Sequence, residues 1–271
     1  MERAGLLTAP RENITVTPFC VESINCEEIT PELAHNPGYA ILYAHGGGYV
    51  TGNLNYARIL GAKLALSTGF TTFSFDYRLA PEHPYPAALE DAVKVFEYLT
   101  GLYPPERILF AGDSAGGNLV LCLAQKLLAE GKKLPDMLLL FSPWTDMTAT
   151  APSYETYKNM DPILTKEYVT EAAKVYIAGQ GSDDDPRFSP LSGTLSGLPH
   201  VYIMAGRNEI LLDDSLRLRD KILELDGDVT LDLDEDGWHV YQQMPLPIAA
   251  QALKRLSAHV SSRIYGDIKK L

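Results

Sequence analysis

The sequence predicts an α/β fold in one large domain. Three observations carry this expectation. Short apolar runs at 39–44, 70–75, 108–111 and 138–141 have the length of buried strands, and between them lie segments with leucines or alanines on a repeating helical face. Length and composition agree: 271 residues with 46% hydrophobic content can bury a full core. Third, one run turns sharply at a serine and feeds directly into a helix, a junction typical of strand-to-helix connections.

The first forty residues mix Pro10, Pro18, Pro31 and Pro37 with short β-prone pieces at 13–16 and 19–24, so an irregular start with one or two edge strands is expected. The strand at 39–44 then runs into His45-Gly46-Gly47-Gly48-Tyr49. Three successive glycines leave several backbone N–H groups that no side chain shields. A helix is expected at 56–67 and a strand at 70–75, which ends in Asp76-Tyr-Arg-Leu-Ala-Pro-Glu82-His-Pro-Tyr-Pro86. The prolines exclude regular structure there. Asp76, Arg78 and Glu82 read as a loop-locking network. Helical spacing returns at 87–99.

The stretch around which the chain is organised follows: Arg107-Ile-Leu-Phe-Ala-Gly-Asp-Ser114-Ala-Gly-Gly-Asn118. Gly112-Asp-Ser114-Ala-Gly116 has the G-x-S-x-G form of a nucleophile elbow, in which a strained turn holds the serine hydroxyl clear of the backbone. Ser114 is the expected nucleophile. Gly112 and Gly116 let strand and helix approach closely. The following helix, 119–128, directs unpaired N–H groups at the serine. When a serine attacks a carbonyl, the oxygen takes up a full negative charge, and each prepositioned N–H contributes on the order of 3 kcal/mol to holding it. Gly46, Gly47 and Ala115 are the expected donors, with His45 bracing the loop.

Three motifs in register, His45-Gly-Gly-Gly48, Asp76-Tyr-Arg-Leu-Ala-Pro-Glu82 and Gly112-Asp-Ser-Ala-Gly-Gly117, resemble the hormone-sensitive-lipase-like family of bacterial α/β-hydrolase esterases over roughly residues 38–260. The resemblance implies an α/β-hydrolase fold with a mostly parallel central sheet flanked by helices, a serine-triad ester hydrolase, and a small helical cap. The whole chain, 1–271, is expected to form one such domain. Its cap elements would come from a shortened segment at about 1–30 and from an insert at 147–192, with a helix at 168–177. The shortened first segment puts pocket closure in question and makes a homodimer worth testing.

A serine at its free pKa is a poor nucleophile, so it needs a base, and the base needs an acid. After the strand at 200–205, Glu209 stands where family members carry the triad acid, usually Asp; Asp213 is its main rival and Asp214 the next, although both suit a helix entrance. His239, on a glycine-containing loop after the last strand at 230–233, is the expected base. His259, on a terminal helix at 248–264, reads as a surface residue. The resemblance points to a carboxylesterase acting on short-chain acyl esters, acetyl to about hexanoyl. A lactone or amide hydrolase using the same triad, and a non-catalytic small-molecule receptor on the same fold, are the alternatives.

Composition bounds the partners. Asp plus Glu number 35 against 23 Lys plus Arg, a net charge of −12, which argues against nucleic acid and against an anionic membrane surface. No signal peptide or membrane-spanning run is read, so an intracellular, cytoplasmic protein is expected. Cys20, Cys26 and Cys122 form no disulfide framework, and Cys122 reads as a small core residue. The six histidines show no metal-ligand spacing, and no dinucleotide or Walker pattern accompanies the glycines, so neither metal nor cofactor is expected.

Overall fold

The computed structural model describes residues 12–33 and 35–266. The described chain opens with an antiparallel hairpin, β1 (Ile14–Val21) and β2 (Ile24–Pro31), joined through Glu22 in the left-handed region at φ 53°. This start is more regular than the proline count suggested. Pro18 sits in β1, the outermost strand of the sheet, where a missing N–H costs no ladder bond on the open side. Residues 14–31 therefore belong to the sheet and not to a cap, which corrects the expected cap element at 1–30; its part before residue 12 lies outside the described residues.

From there strands and helices alternate: β3 (Ala40–Ala44), α1 (Leu54–Thr68), β4 (Thr71–Phe75), α2 (Ala87–Thr100), β5 (Ile108–Asp113), α3 (Ala115–Ala129) and β6 (Met137–Phe141). An insert between β6 and the next strand carries α4 (Ser153–Thr156) and α5 (Lys166–Ile177). The chain closes with β7 (His200–Gly206), α6 (Leu212–Glu224), β8 (Val229–Asp234) and α7 (Pro247–Tyr265). The eight strands form one sheet in the order β1-β2-β4-β3-β5-β6-β7-β8, parallel from β4 to β8, with β2 antiparallel to both of its neighbours.

Every residue of β3, β5, β6 and β7 is buried, the signature of parallel strands covered on both faces. Alternate side chains serve opposite layers. Leu42, Phe110 and Leu140 pack with α2 and α3, whereas Ile41, Leu109 and Leu139 pack with α1 and α7. Local chemistry sets the helix ends: Asn53 caps α1 by accepting the Tyr56 N–H, and Gly69 closes it in the left-handed region at φ 76°. Arg78 locks the proline-punctuated loop onto α2 through Asp91, Glu90 and the Ala87 carbonyl. Cys122 is buried, as expected for a core residue. His259 departs from expectation: it is half-buried, its Nε2 lies 2.8 Å from His200 Nε2, and its ring packs on Tyr202.

The functional consequence of this topology lies at β3. The chain goes from β3 to β4 on one side and then to β5 on the other, so strand order reverses there, the place where open α/β sheets form their ligand crevice. Ala44 pairs with Gly112, so the glycine loop and the serine turn leave adjacent strands at the same level. In the same rim, Asp113 pairs with Phe141, Phe141 with Met204, and Gly206 with Asp234.

Candidate active site

Ser114 stands between β5 and α3 with φ 53° and ψ −118°, a conformation that non-glycine residues avoid and that costs on the order of 1–3 kcal/mol. Its surroundings hold it there. The Ser114 N–H donates to the Phe141 carbonyl at 2.9 Å, and its own carbonyl accepts from Asn118 and Trp144. A Cβ on Gly112 would lie 2.3 Å from the Gly116 carbonyl oxygen, and one on Gly116 would lie 2.1 Å from that of Ala44. Both glycines are thus steric requirements of the turn, as expected. The N-terminus of α3 abuts Ser114, and the Ala115 N–H is the first of that helix.

The glycine loop is braced from behind. His45 Nδ1 donates to the Gly46 carbonyl at 2.7 Å, its ring stacks on Tyr77, and burial pushes the imidazole pKa down to about 4. His45 is therefore a neutral brace. The Gly47 carbonyl accepts from the N–H groups of Val50 and Thr51 and from the hydroxyls of Thr51 and Tyr168. Because N–H and C=O point oppositely across a trans peptide, carbonyls tied to the brace turn the N–H groups of Gly47 and Gly48 away from it. Gly46 corrects the expectation. Its N–H donates to Asp113 Oδ1 at 2.9 Å and is spent there, which leaves the N–H groups of Gly47 and Gly48 facing away from the brace.

The acid loop follows β7. Glu209 is fully buried; its Oε2 accepts from Ser142 Oγ at 2.7 Å and from the Gly206 N–H at 3.2 Å, while Oε1 has no partner. Each rival carboxylate has one oxygen engaged elsewhere, and Asp214 Oδ1, like Glu209 Oε1, is buried without a partner. Asp213 accepts the Ser153 N–H at 2.8 Å, and Asp214 accepts the N–H groups of Thr145 and Asp146 at 2.7 and 2.9 Å. His239 is buried on the loop after β8, and its Nδ1 has no partner. The two loops touch: a Cβ on Gly206 would lie 2.3 Å from the Gly237 carbonyl carbon, and the Asn208 N–H donates to the Gly237 carbonyl. Burial pushes the Glu209 carboxyl up to about 8 and the His239 imidazole down to about 4. Each charge is costly alone in this site.

A family model described as alpha/beta hydrolase fold matches residues 41–243, the span from β3 to just beyond His239. An esterase of Acinetobacter venetianus is 34% identical over 253 residues, covering 92% of this chain and 82% of its own. An acetyl-hydrolase of Streptomyces hygroscopicus is 34% identical, with 89% and 78% covered. Among solved structures, an esterase from the bacterial hormone-sensitive lipase family superposes with a TM-score of 0.91 at 35% identity, covering 96% of this chain and 88% of that one. This protein belongs to the alpha/beta hydrolase family. Within it, the hydrolase is a carboxylic ester hydrolase of the bacterial hormone-sensitive-lipase-like group.

Three features of the hydrolase's site were not anticipated. Ser142, in the left-handed region at φ 46°, joins the acid loop to the base loop by donating to Glu209 and accepting the Val240 N–H at 3.1 Å. Asp161, from the insert, accepts the N–H groups of Ile163, Leu164 and Ile210, and its charge favours protonated His239. Helix α5 lies directly against the glycine loop, where a Cβ on Gly48 would be 3.2 Å from both Ala172 Cβ and Tyr168 Oη. Among the described residues, no group of three or more His, Cys, Asp or Glu could hold a metal ion, and no helix is long and apolar enough to cross a membrane.

Proposed function

We propose that this carboxylesterase cleaves small, short-chain acyl esters, acetyl to about hexanoyl, by double displacement through an acyl-enzyme. His239, neutral at working pH, takes the Ser114 proton as the hydroxyl oxygen attacks the ester carbonyl. Glu209 fixes the imidazole tautomer and stabilises the imidazolium. The tetrahedral oxyanion rests on the N–H groups of Gly47, Gly48 and Ala115, each contributing on the order of 3 kcal/mol. As the tetrahedral intermediate collapses, His239 returns the proton to the leaving alcohol. Water then attacks the acyl-serine with the same proton relay and frees the acid.

The observation that supports this reading best is a pair of buried orphans. Glu209 Oε1 is an acceptor with no donor, and His239 Nδ1 is a ring nitrogen with no partner, in two loops that touch. A buried polar group without a partner costs about 1–3 kcal/mol, and a carboxylate–imidazole bond would remove both costs at once. Short acyl chains are supported by α5 crowding the glycine loop and by the acetyl-hydrolase name of the Streptomyces relative.

Ser114→Ala should abolish p-nitrophenyl acetate turnover and fluorophosphonate labelling while the melting midpoint is kept. Retained turnover refutes the nucleophile. An acyl-length series of nitrophenyl esters, run beside lactones and acetylated sugars, should fall off beyond hexanoyl; a maximum at long chains refutes the substrate class.

A further inference from the structure

We propose that Asp113, the residue before the nucleophile, is the positioning residue of the oxyanion loop, and that it acts through geometry and not through charge; this rests on the reading of Ser114 and the glycine N–H groups above. Asp113 is fully buried at the end of β5, and its two oxygens face different segments. Oδ1 accepts the Gly46 N–H at 2.9 Å and the Tyr43 hydroxyl at 2.5 Å. Oδ2 accepts the Tyr56 hydroxyl at 3.0 Å and Gln243 Nε2 at 3.3 Å. Gln243 sits four residues after His239, so one carboxyl group ties the glycine loop, the serine turn and the stretch behind the base to a common point.

The approach is close enough to be built in. A Cβ on Gly46 would lie 2.4 Å from Asp113 Oδ2, so Gly46 is required for contact with Asp113 and not for donating to substrate. With its N–H held by Asp113 and its carbonyl by His45, Gly46 is locked at both peptide units. The next N–H, that of Gly47, inherits its direction. Rotation of that amide by a few tens of degrees would misaim a donor whose loss alone lowers turnover about 10²–10³-fold.

All four donors to Asp113 are neutral, and it has no ion-pair partner among the described residues. A full negative charge beside the forming oxyanion would oppose it. The useful property of the side chain is thus an acceptor oxygen at the Oδ1 position, which asparagine supplies equally well.

The test compares Asp113→Asn and Asp113→Ser with the parent enzyme on p-nitrophenyl acetate, with affinity for an aryl trifluoromethyl ketone measured in parallel. That ketone adds the serine oxygen to its carbonyl and places the resulting oxyanion on the same donors. Asp113→Ser, whose hydroxyl is too short to reach Gly46, should lose about 10²-fold in kcat with KM within about threefold, and the inhibition constant should rise in proportion. Asp113→Asn should keep kcat within about threefold. The proposal is overturned if Asp113→Ser keeps its kcat, if its kcat falls while ketone affinity is unchanged, or if asparagine is as damaging as serine. Should the serine variant fail to fold, asparagine decides alone: a loss beyond about tenfold in kcat overturns the proposal. Turnover surviving in Ser114→Ala is a separate outcome that overturns the underlying reading instead.

Discussion

Ser142 Oγ lies 2.7 Å from Glu209 Oε2 and donates to it, and the same oxygen accepts the Val240 N–H at 3.1 Å. One hydroxyl at the end of β6 therefore fixes the direction of the carboxylate and the backbone that carries His239. Replacing it by alanine leaves Glu209 Oε2 with only the Gly206 N–H and strands the buried Val240 N–H. Ser142→Ala should destabilise the fold by about 1–3 kcal/mol. It should lower kcat roughly tenfold to a hundredfold with little change in KM, because the carboxylate stays present but loses its aim. Chemical denaturation and steady-state kinetics on the same preparation check both; a variant with parental kcat removes Ser142 from the positioning of Glu209.

Glu209 and Asp213 lie four residues apart, yet Glu209 is fully buried with one oxygen unpartnered, whereas Asp213 is only half-buried and accepts the Ser153 N–H. Glu209→Gln should lower kcat by about 10³–10⁴-fold, since an amide cannot stabilise the imidazolium. Asp213→Asn should act on stability instead, weakening the bond to the Ser153 N–H by about 1 kcal/mol while kcat stays within about tenfold. The reverse ranking of the two kcat values would transfer the acid role.

These two carboxylates also mark the reach of the amino-acid sequence. The buried strands were legible because parallel strands covered on both faces are apolar throughout, and β3, β5, β6 and β7 stand where those runs predict them. Ser114, with its positive φ, was legible from its flanking glycines, whose close contacts are local. Amide direction was not. Three glycines announce a loop of free N–H groups, but which of them is spent depends on Asp113, 67 residues further along. Ser142 was hidden for the same reason: a serine after a strand looks like any turn residue until the fold brings Glu209 against it. The first hairpin was legible only as one or two edge strands in an irregular start, because proline counts against strands in general, whereas an outermost strand tolerates it.

Three buried carboxyls make stability and activity respond oppositely to pH. Burial pushes Asp113 up to about 6, Asp214 to about 7 and Glu209 to about 8. The native state thus holds protons that the unfolded chain releases from about pH 4 upward, so this stability is complete below about pH 4 and is lost between there and about pH 6 for Asp113, 7 for Asp214 and 8 for Glu209, at about 1.4 kcal/mol per pH unit for each proton difference. The buried histidines, His45 and His239, are lowered to about 4, so between about pH 4 and 6.5 their neutral native forms oppose this loss, and above about 6.5 they no longer contribute. Under the proposed mechanism catalysis runs the other way, because Glu209 supports the imidazolium only as a carboxylate. The melting midpoint should fall between about pH 6.5 and 8 while kcat/KM rises with a midpoint near 8; Glu209→Gln should remove the rise in activity and make the fall in stability shallower, with Asp214 still contributing up to about pH 7. Parallel rises in stability and activity would contradict the assignment of Glu209.

The strain at Ser114 gives a prediction in which function and stability part company. At φ 53° and ψ −118° a side chain is disfavoured, and under the proposed mechanism the hydroxyl stands there for chemistry and not for packing. Ser114→Gly removes the Cβ and with it the strain, but it also loosens the unfolded chain, which returns part of the gain. The net should be a stabilisation of about 1 kcal/mol over Ser114→Ala, which keeps the Cβ and so serves as the reference. For a chain of this size that corresponds to a melting midpoint about 2–4 °C higher. Both variants should be devoid of turnover. A glycine variant no more stable than the alanine one would mean that the turn is relaxed around Ser114, and that the nucleophile is presented at no cost to the fold.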